Sequence, residues 1–404
     1  MKLTARIDLP VSKPKRLISL DALRGFDMFW IISGEGIFHG LANAVKQKHG
    51  LAQNHEDWQI IGTENLSLLE RMMVGISNQL HHSPWNGFTF YDLIFPLFIF
   101  ISGVSMPYSY QKYFENRAND KSLSNQVYYS LIKRTLILIV LGFIVNGLLQ
   151  WNGFENTRFA SVLGRIAFST FFAVLIYLNF SLPKQIIWFL GILFGYYFIM
   201  MYVPVPHFGA GVLTPEGNLS AYIDRLLLPG KLHRIVYDPE GILSTIPAIC
   251  SAMIGIFTGT FIKSESSSPN QKVLKLFLAG IACIALGLLW SIIFPINKTM
   301  WTSTFVLFAG GCSILLFTLF YYVIDVQSIK KWCVPFLWIG SNSILIYVCA
   351  HGLINFESTA VFIFGGLVKK IPAIWQSALL WMAIFGIQLF ILKFLYDKKW
   401  FLKI

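Results

Sequence analysis

About ten stretches of roughly 20 mostly apolar residues run through the chain, and they restrict its fold more than any other feature. In a bilayer core every backbone polar group must be paired internally, so such stretches form helices. Only 13% of the 404 residues are charged, against about 25% in soluble domains. We therefore predict an all-α, polytopic integral membrane protein with about ten transmembrane helices. The predicted spans are 18–39, 89–111, 131–149, 159–179, 185–203, 243–263, 273–295, 301–324, 333–351 and 374–393.

One further apolar stretch, at 356–368, is too short to cross a bilayer. It contains two adjacent glycines and is followed by Lys369 and Lys370. We expect this segment to be re-entrant or interfacial.

The distribution of basic residues predicts the orientation. With the N terminus in the cytoplasm, most of the 32 lysines and arginines fall on the cytoplasmic side, as the positive-inside rule requires. Both termini are then cytoplasmic, 1–16 is a cytoplasmic arm, and the long loops 40–88 and 204–242 face outward. We predict a single transmembrane domain, 1–404.

The formal charge of +12 does not indicate nucleic acid, because the basic residues lie in short loops between apolar stretches. The five cysteines lie within or beside apolar stretches and form no CxxC pair. We interpret them as packing residues, and predict no metal site.

The first span carries four ionisable residues in an otherwise apolar helix: Asp21, Arg24, Asp27 and Glu35. Charged groups at this depth usually face a protein interior or a water-filled site. Helical geometry places Arg24 and Glu35 on nearly the same face, roughly 16 Å apart. Asp21 can pair with Arg24, which leaves a purely structural role open for both. Glu35 has no obvious partner and is the better functional candidate.

The second span is preceded by the segment HHSPWNG. His81 and His82 lie at its start, and Asp92 follows just inside the apolar stretch. A histidine can act here as a base, an acid or a nucleophile. It can equally be an interfacial residue that caps the helix or binds headgroups.

Two carboxylates, Asp238 and Glu240, precede the sixth span in the segment YDPEG. They can be helix-start acids or can hold a cationic amine, and the sequence does not separate these roles. Arg165 and Asn342 lie inside spans and need polar partners in the bundle.

Several segments together resemble one family. RLISLDALRGFDMFW, HSPWNGFTFYDLIFPLFIFISG, YIDRLLL, YDPEGILSTIPAI, INKTMWTSTFVLFAGG and GSNSILIYV resemble the heparan-alpha-glucosaminide N-acetyltransferase family, including bacterial members without a lumenal domain. LDALRG alone also resembles membrane enzymes that O-acetylate polysaccharides. Its combination with HxxWNG and YDPEG is more specific.

The resemblance implies transfer of an acetyl group from cytoplasmic acetyl-CoA to the amine of a terminal glucosamine on the far side of the membrane. The family's active-site histidine stands three residues before the Trp of WNG, at His82. Lysosomal members have Asn where this chain has Glu35. The resemblance also implies a homodimer among membrane lipids, here in a bacterial inner membrane.

On this basis we expect His82 to be the catalytic base or an acetyl carrier, with Glu35 orienting or deprotonating the amine. The remaining candidates divide between the acceptor saccharide and CoA. Acceptor-side candidates are Trp85, Asn86, Asp92, Asp238 and Glu240, and CoA-side candidates are Arg24 and Arg165.

Two other functions stay open from the sequence. A secondary transporter of a sugar or organic ion could use Asp27, Glu35 and Asp92 as coupling groups. A polysaccharide O-acetyltransferase would share acetyl-CoA but use a hydroxyl acceptor.

Overall fold

The computed structural model describes residues 17–56, 58–116, 121–151 and 153–402, so the predicted arm 1–16 lies outside it. In this part of the chain the named strands are two short ones, Ala52–Gln53 and Ile60–Ile61, which pair antiparallel. Helices make up most of the rest. The predicted all-α fold class is confirmed.

The α-helices, in chain order, are α1 (Ile18–Phe29), α2 (Glu35–His49), α3 (Leu68–Gln79), α4 (Phe90–Ser109), α5 (Gln111–Asn116), α6 (Lys121–Val145), α7 (Val162–Asn179), α8 (Leu182–Tyr202), α9 (Leu219–Leu227), α10 (Ile242–Lys263), α11 (Pro269–Trp290), α12 (Ser303–Phe320), α13 (Val334–Ser341), α14 (Ser343–Val348), α15 (Phe356–Val368) and α16 (Ala373–Asp397). Single π-helical segments occur at Trp30–Gly34, Tyr321–Val326 and Cys349–Leu353. Short 3-10 turns occur at Leu148–Gln150, Phe154–Asn156 and Lys331–Cys333.

Within the described ranges, eight helices are long and apolar enough to cross a bilayer: Phe90–Glu115, Leu123–Val145, Val162–Asn179, Leu182–Tyr202, Ile242–Lys263, Pro269–Trp290, Ser303–Val326 and Ala373–Asp397. A ninth results if Lys331–Ser341 and Ser343–Leu353, bent by 65° at Asn342, count as one broken span. The predicted span at 131–149 was misplaced, since its helix begins at Lys121 and ends at Val145.

The predicted first span falls outside that set of apolar helices, because it carries several charged groups. It is nevertheless part of one continuous helical segment from α1 through the Trp30–Gly34 π segment into α2. The total of ten spans and the side of each terminus remain predictions. The α15 helix has 13 residues, which is too short to cross a bilayer.

Glycines allow the first helix to approach its neighbours closely. A Cβ atom at Gly25 would collide with the backbone carbonyl of Phe336 in α13, and one at Gly340 with that of Asp21. Small residues at such crossings are typical of membrane bundles, where helices associate through close packing. α1 is therefore held against the broken span, and these two elements line the cavities described below.

The α4 and α10 helices form a second close pair. Gly103 lies against the backbone of Ala252 and Gly255, and Gly255 lies against the carbonyl of Phe100. Since both faces are backbone, the two helices are fixed relative to each other. This fixes the start of α4, which carries Asp92, beside the start of α10, which follows the YDPEG segment.

Candidate active site

The side chains of His82 and Asp92 form a hydrogen-bonded pair. His82 Nδ1 lies 2.8 Å from Asp92 Oδ1, and the Asp92 residue is 1% exposed. The other oxygen, Oδ2, accepts hydrogen bonds from Ser83 N (3.2 Å), Ser83 Oγ (2.9 Å) and Thr89 N (3.1 Å). A carboxylate held in this way orients the imidazole so that Nδ1–H donates to it. Nε2 is then the basic nitrogen.

Asp92 is placed by the local sequence. It is the third residue of α4, where its carboxylate accepts from the backbone N–H of Thr89. This is the capping-box arrangement, in which an acid in the first turn pairs an exposed N–H group before the helix. One oxygen of Asp92 caps the helix, and the other is left for His82.

Lys298 lies beside this pair and was not identified from the sequence. Its Nζ atom lies 3.1 Å from His82 Nδ1 and 3.5 Å from Asp92 Oδ1. Burial lowers the pKa of Lys298, while the charge of Asp92 opposes that effect. Lys298 follows His82 by 216 positions, and a lysine in a short loop gives no local signal of this contact.

The PWNG turn is tied to the loop that carries Lys298. Asn297 Nδ2 donates to the Trp85 carbonyl (2.8 Å) and to Asn86 Oδ1 (3.1 Å), and Gly87 N donates to the Ile296 carbonyl (2.9 Å). Trp85 Nε1 donates to the carbonyl of Leu213 (2.8 Å) in the 204–242 loop. These bonds fix the position of the His82 side chain relative to the Lys298 side chain.

The His82 pair faces a cavity of about 360 Å³, which we call the His82 cavity. Its lining includes both aromatic and charged side chains. Among the lining residues are His82, Trp85, Tyr91, Asp92, Phe98, Arg158, Arg165, Arg234, Glu240, Lys298, Trp301, Ile344 and His351. Asn86 does not line it and acts on the turn instead.

Asp238 and Glu240 both bind Arg158, a residue that the sequence reasoning missed. Arg158 Nε donates to Asp238 Oδ2 at 2.8 Å, its Nη2 to Oδ1 at 2.5 Å, and the same group bonds Glu240. Burial would raise the pKa of Asp238, but the hydrogen bond and charge of Arg158 hold it below its usual value. Glu240 lines the His82 cavity, whereas Asp238 lies behind Arg158 and also accepts from the backbone of His233 and Glu240 (2.9 Å each).

Glu35 has partners, contrary to the expectation from sequence. Tyr91 Oη donates to Glu35, and His39 Nε2 lies 3.5 Å from the other carboxylate oxygen. The Tyr91 ring contacts the His82 ring at 4.9 Å between centroids. Glu35 lines a different space, the Glu35 cavity of about 710 Å³, which shares Ile31 and His351 with the His82 cavity.

A third space, the Arg134 cavity of about 830 Å³, lies toward the other end of α4. Its lining includes Arg24, Lys133, Arg134, Asp21, several serines and Tyr110. The expected contact of Arg24 with Asp21 is present, at 3.4 Å. Phe98 and Ile344 line both this cavity and the His82 cavity, so the two spaces abut there. Arg24 and Arg165, expected to act together, thus lie in different cavities.

Known proteins resemble this chain over much of its length. No family model matches it. A mouse protein named heparan-alpha-glucosaminide N-acetyltransferase is 28% identical over 337 residues, covering 68% of this chain and 49% of its own length. The human protein of that name is 28% identical over 332 residues, covering 66% and 48%. The chain therefore spans about half the length of the curated relatives it matches.

These matches support membership of the heparan-alpha-glucosaminide N-acetyltransferase family. The resemblance stated from the motifs is confirmed at that level. Membership supports a multi-pass membrane protein of the acyltransferase class.

In this chain the structure brings His82, Trp85, Asp92, Arg165 and Glu240 to one cavity. It leaves Glu35 and Arg24 in the two adjoining cavities. Among the described residues no group of His, Cys, Asp or Glu could hold a metal ion.

Proposed function

We propose that this protein is a transmembrane N-acetyltransferase. It takes the acetyl group of cytoplasmic acetyl-CoA and transfers it to the amine of a glucosamine or terminal glucosaminide on the periplasmic side of a bacterial inner membrane. One observation carries the proposal: the His82–Asp92 pair faces a cavity that meets a second, basic cavity at Phe98 and Ile344.

The pair suits acetyl transfer to an amine. The amine of an amino sugar is largely protonated near neutrality and must lose a proton before it attacks. Once that proton has gone to solvent, the free amine attacks, and His82 Nε2 accepts a second proton from the attacking nitrogen. The C–N bond forms as the C–S bond of the thioester breaks, and CoA leaves as the thiolate and is protonated to the thiol. Alternatively His82 Nε2 takes the acetyl group first and passes it to the amine. Both routes need Nδ1–H held by Asp92.

Lys298 adds a positive charge where the reaction needs one. Its Nζ lies within 3.5 Å of both His82 and Asp92. An ammonium at this position stabilises the oxyanion that develops on the thioester carbonyl. It also disfavours a second ammonium nearby, so it favours the neutral, reactive form of the acceptor amine.

The Arg134 cavity suits the phosphates of CoA. Arg24, Lys133 and Arg134 supply cationic groups, and Ser102, Ser105 and other hydroxyl groups line the same space. Arginine and lysine are the usual phosphate-binding side chains. The pantetheine arm, on the order of 15–20 Å when extended, would pass between Phe98 and Ile344 toward His82.

Glu35 takes a supporting role in this proposal. Through Tyr91 it contacts the wall of the His82 cavity, and its own cavity also contains His39. It can orient Tyr91 against the acceptor or take up the proton that His82 releases. The homodimer and its lipid neighbours, implied by the resemblance, remain predictions.

The experiment that tests the proposal incubates purified protein with acetyl-labelled acetyl-CoA and glucosamine. We expect labelled N-acetylglucosamine, stable to mild alkali, and free CoA thiol. Acetyl-CoA that stays intact while a solute crosses proteoliposomes would show a transporter. An alkali-labile product would show an O-acetyltransferase. Either result contradicts the proposal.

A further inference from the structure

The guanidinium of Arg165 is buried with two of its three nitrogen atoms unpaired. The residue is 2% exposed. Its Nη2 donates to Ser244 Oγ and, at 3.4 Å, to the Gly241 carbonyl. Nε and Nη1 have no hydrogen-bond partner in the part of the chain that the structure describes. Buried charged donors without acceptors are unfavourable and rare in native proteins, so these two N–H groups need an explanation.

The carboxylates nearest to Arg165 are occupied elsewhere. Arg158 binds both Asp238 and Glu240. Asp224 accepts from Ile242 N at 2.8 Å, and burial raises its pKa to about 7. Among the described residues none of these carboxylates forms an ion pair with Arg165; they act on it only at longer range.

Arg165 is held in one orientation at the wall of the His82 cavity. It lies in the first turn of α7, and its guanidinium carbon is 4.9 Å from the centroid of the Trp301 ring. Trp301 is fully buried, and its Nε1 donates to Ser251 Oγ at 3.1 Å. A guanidinium fixed on an aromatic face holds its N–H groups in one plane, where each can donate to an oxygen of a carboxylate or sulfate.

The charges that line the cavity favour an anion there. Its described lining contains four cationic side chains, Arg158, Arg165, Arg234 and Lys298, against the carboxylates of Asp92 and Glu240. Lys298 contacts the His82–Asp92 pair, and Arg158 forms ion pairs with Asp238 and Glu240. Arg234 is exposed to solvent, so Arg165 is left as the buried cation with vacant donors.

We propose that Arg165 is an anion-binding subsite of the acceptor: its free N–H groups bind a carboxylate or sulfate carried by the amino sugar or by the sugar next to it. This inference rests on the proposed function, because it assigns the acceptor to the His82 cavity. It departs from the expectation that Arg165 contacts CoA. The subsite holds the saccharide by its anionic group while His82 acts on its amine.

The first test compares acceptors with the wild-type protein. Glucosamine carries no anion, muramic acid adds a carboxylate, and glucosamine 6-sulfate adds a sulfate. We expect KM to be roughly tenfold or more lower for at least one anionic acceptor, since a hydrogen bond to a charged group has about that effect. The anionic acceptor with the lower KM shows whether a carboxylate or a sulfate fits the subsite better. Equal KM values for all three acceptors would overturn the inference.

The second test removes the guanidinium group of Arg165. Arg165→Met deletes the charge at similar bulk, and Arg165→Lys keeps the charge without the planar donors. We expect the KM advantage of the anionic acceptor to fall to about one in Arg165→Met and to be partly kept in Arg165→Lys. Arg71→Met is the matched control, because Arg71 binds the backbone carbonyls of Glu64 and Leu66 in another loop. The KM advantage should persist in that variant. An equal loss of kcat for neutral and anionic acceptors would instead assign Arg165 to the reacting carbonyl.

The third test measures binding without turnover, which separates this inference from the proposed function. Labelled muramic acid and glucosamine 6-sulfate are equilibrated with the protein in the absence of acetyl-CoA, with inorganic sulfate as competitor. The subsite is supported if sulfate displaces the bound sugar, and if Arg165→Met loses this binding while Arg71→Met keeps it. This holds even if no acetyl transfer occurs. Equal binding to wild type and Arg165→Met overturns it, even if transfer does occur. If Arg165→Met does not fold, the wild-type KM comparison and sulfate competition decide.

Discussion

The His82 cavity and the Arg134 cavity meet at Phe98 and Ile344 but hold their charges differently. In the His82 cavity two of the four cations contact carboxylates: Lys298 contacts Asp92, and Arg158 binds Asp238 and Glu240. In the Arg134 cavity, Arg24, Lys133 and Arg134 share the described lining with a single carboxylate, Asp21.

The difference indicates a division of labour. Paired charges around an imidazole fix its orientation and protonation, which proton transfer needs. An excess of positive charge beside hydroxyl groups suits a multiply charged phosphate ligand. Substitutions of His82, Asp92 and Lys298 should therefore act mainly on kcat, and those in the Arg134 cavity mainly on KM for acetyl-CoA.

The largest effect is expected from His82→Ala. Removing the base or acetyl carrier should lower kcat by roughly 10²–10⁴-fold. The neighbouring His81 is the matched control: its ring stacks on His39 at 4.2 Å between centroids, and it does not line the His82 cavity. His81→Ala should keep most activity. Equal losses in both variants, measured with labelled acetyl-CoA, would remove His82 from its assigned role.

The Asp92→Asn variant should lower kcat by about 10²-fold. An amide cannot stabilise an imidazolium, and it can favour the wrong tautomer of His82. Asp397→Asn, which alters an exposed acid bound to Lys393, serves as control. A change confined to KM for acetyl-CoA would contradict the division between the cavities.

The Lys298→Met variant should lower kcat by roughly tenfold through lost oxyanion stabilisation, and the loss should be larger at pH 6 than at pH 8. Burial lowers the pKa of Lys298, so its ammonium is fully charged at low pH and the stabilisation it gives declines as the pH rises. A pH–rate profile of kcat measures this. Parallel wild-type and variant profiles would show that Lys298 acts on folding or binding alone.

In the Arg134 cavity, Arg134→Met should raise KM for acetyl-CoA about tenfold and change kcat little, because it removes a charge-assisted bond to phosphate. The difference in KM between the variant and the wild type should shrink as the salt concentration rises, because salt screens the charge of Arg134 in the wild type. Lys275→Met, at an exposed lysine bound to Ser267, should leave KM unchanged. The same increase in KM for acetyl-CoA in both variants would show an effect of overall surface charge and not of a phosphate contact at Arg134.

The smallest effect is expected from Glu35→Gln, a few-fold fall in rate that is greater at low pH. Glutamine can still accept from Tyr91 but cannot hold a proton released from the His82 cavity. Initial rates between pH 5.5 and 8 measure it. Identical profiles for the variant and wild type would take Glu35 out of the mechanism.

Hydropathy predicted most of the helices well. The span predicted at 243–263 is observed as Ile242–Lys263, and that at 159–179 as Val162–Asn179. The start of α6 was missed by ten positions, 131 against Lys121, because a polar, basic helix end carries no apolar signal. The break at Asn342 was missed as well, since the surrounding residues are apolar on both sides.

The site was predicted only where its parts are near in the chain. His82 and Asp92 lie ten positions apart, and the helix that begins between them brings them together. Arg158 and Lys298 were missed because they reach the site from other helix ends. Glu35 was expected to act on the same amine as His82, but the structure puts the Tyr91 side chain between their two cavities.

The sequence by itself determined that this chain folds into apolar helices, because a bilayer admits few other backbone structures, and its motifs indicated the family. Only the tertiary structure decided which charged groups meet. Helix crossings at glycines such as Gly25 and Gly103 set the distances between side chains hundreds of positions apart, and these distances depend on packing that no local pattern encodes.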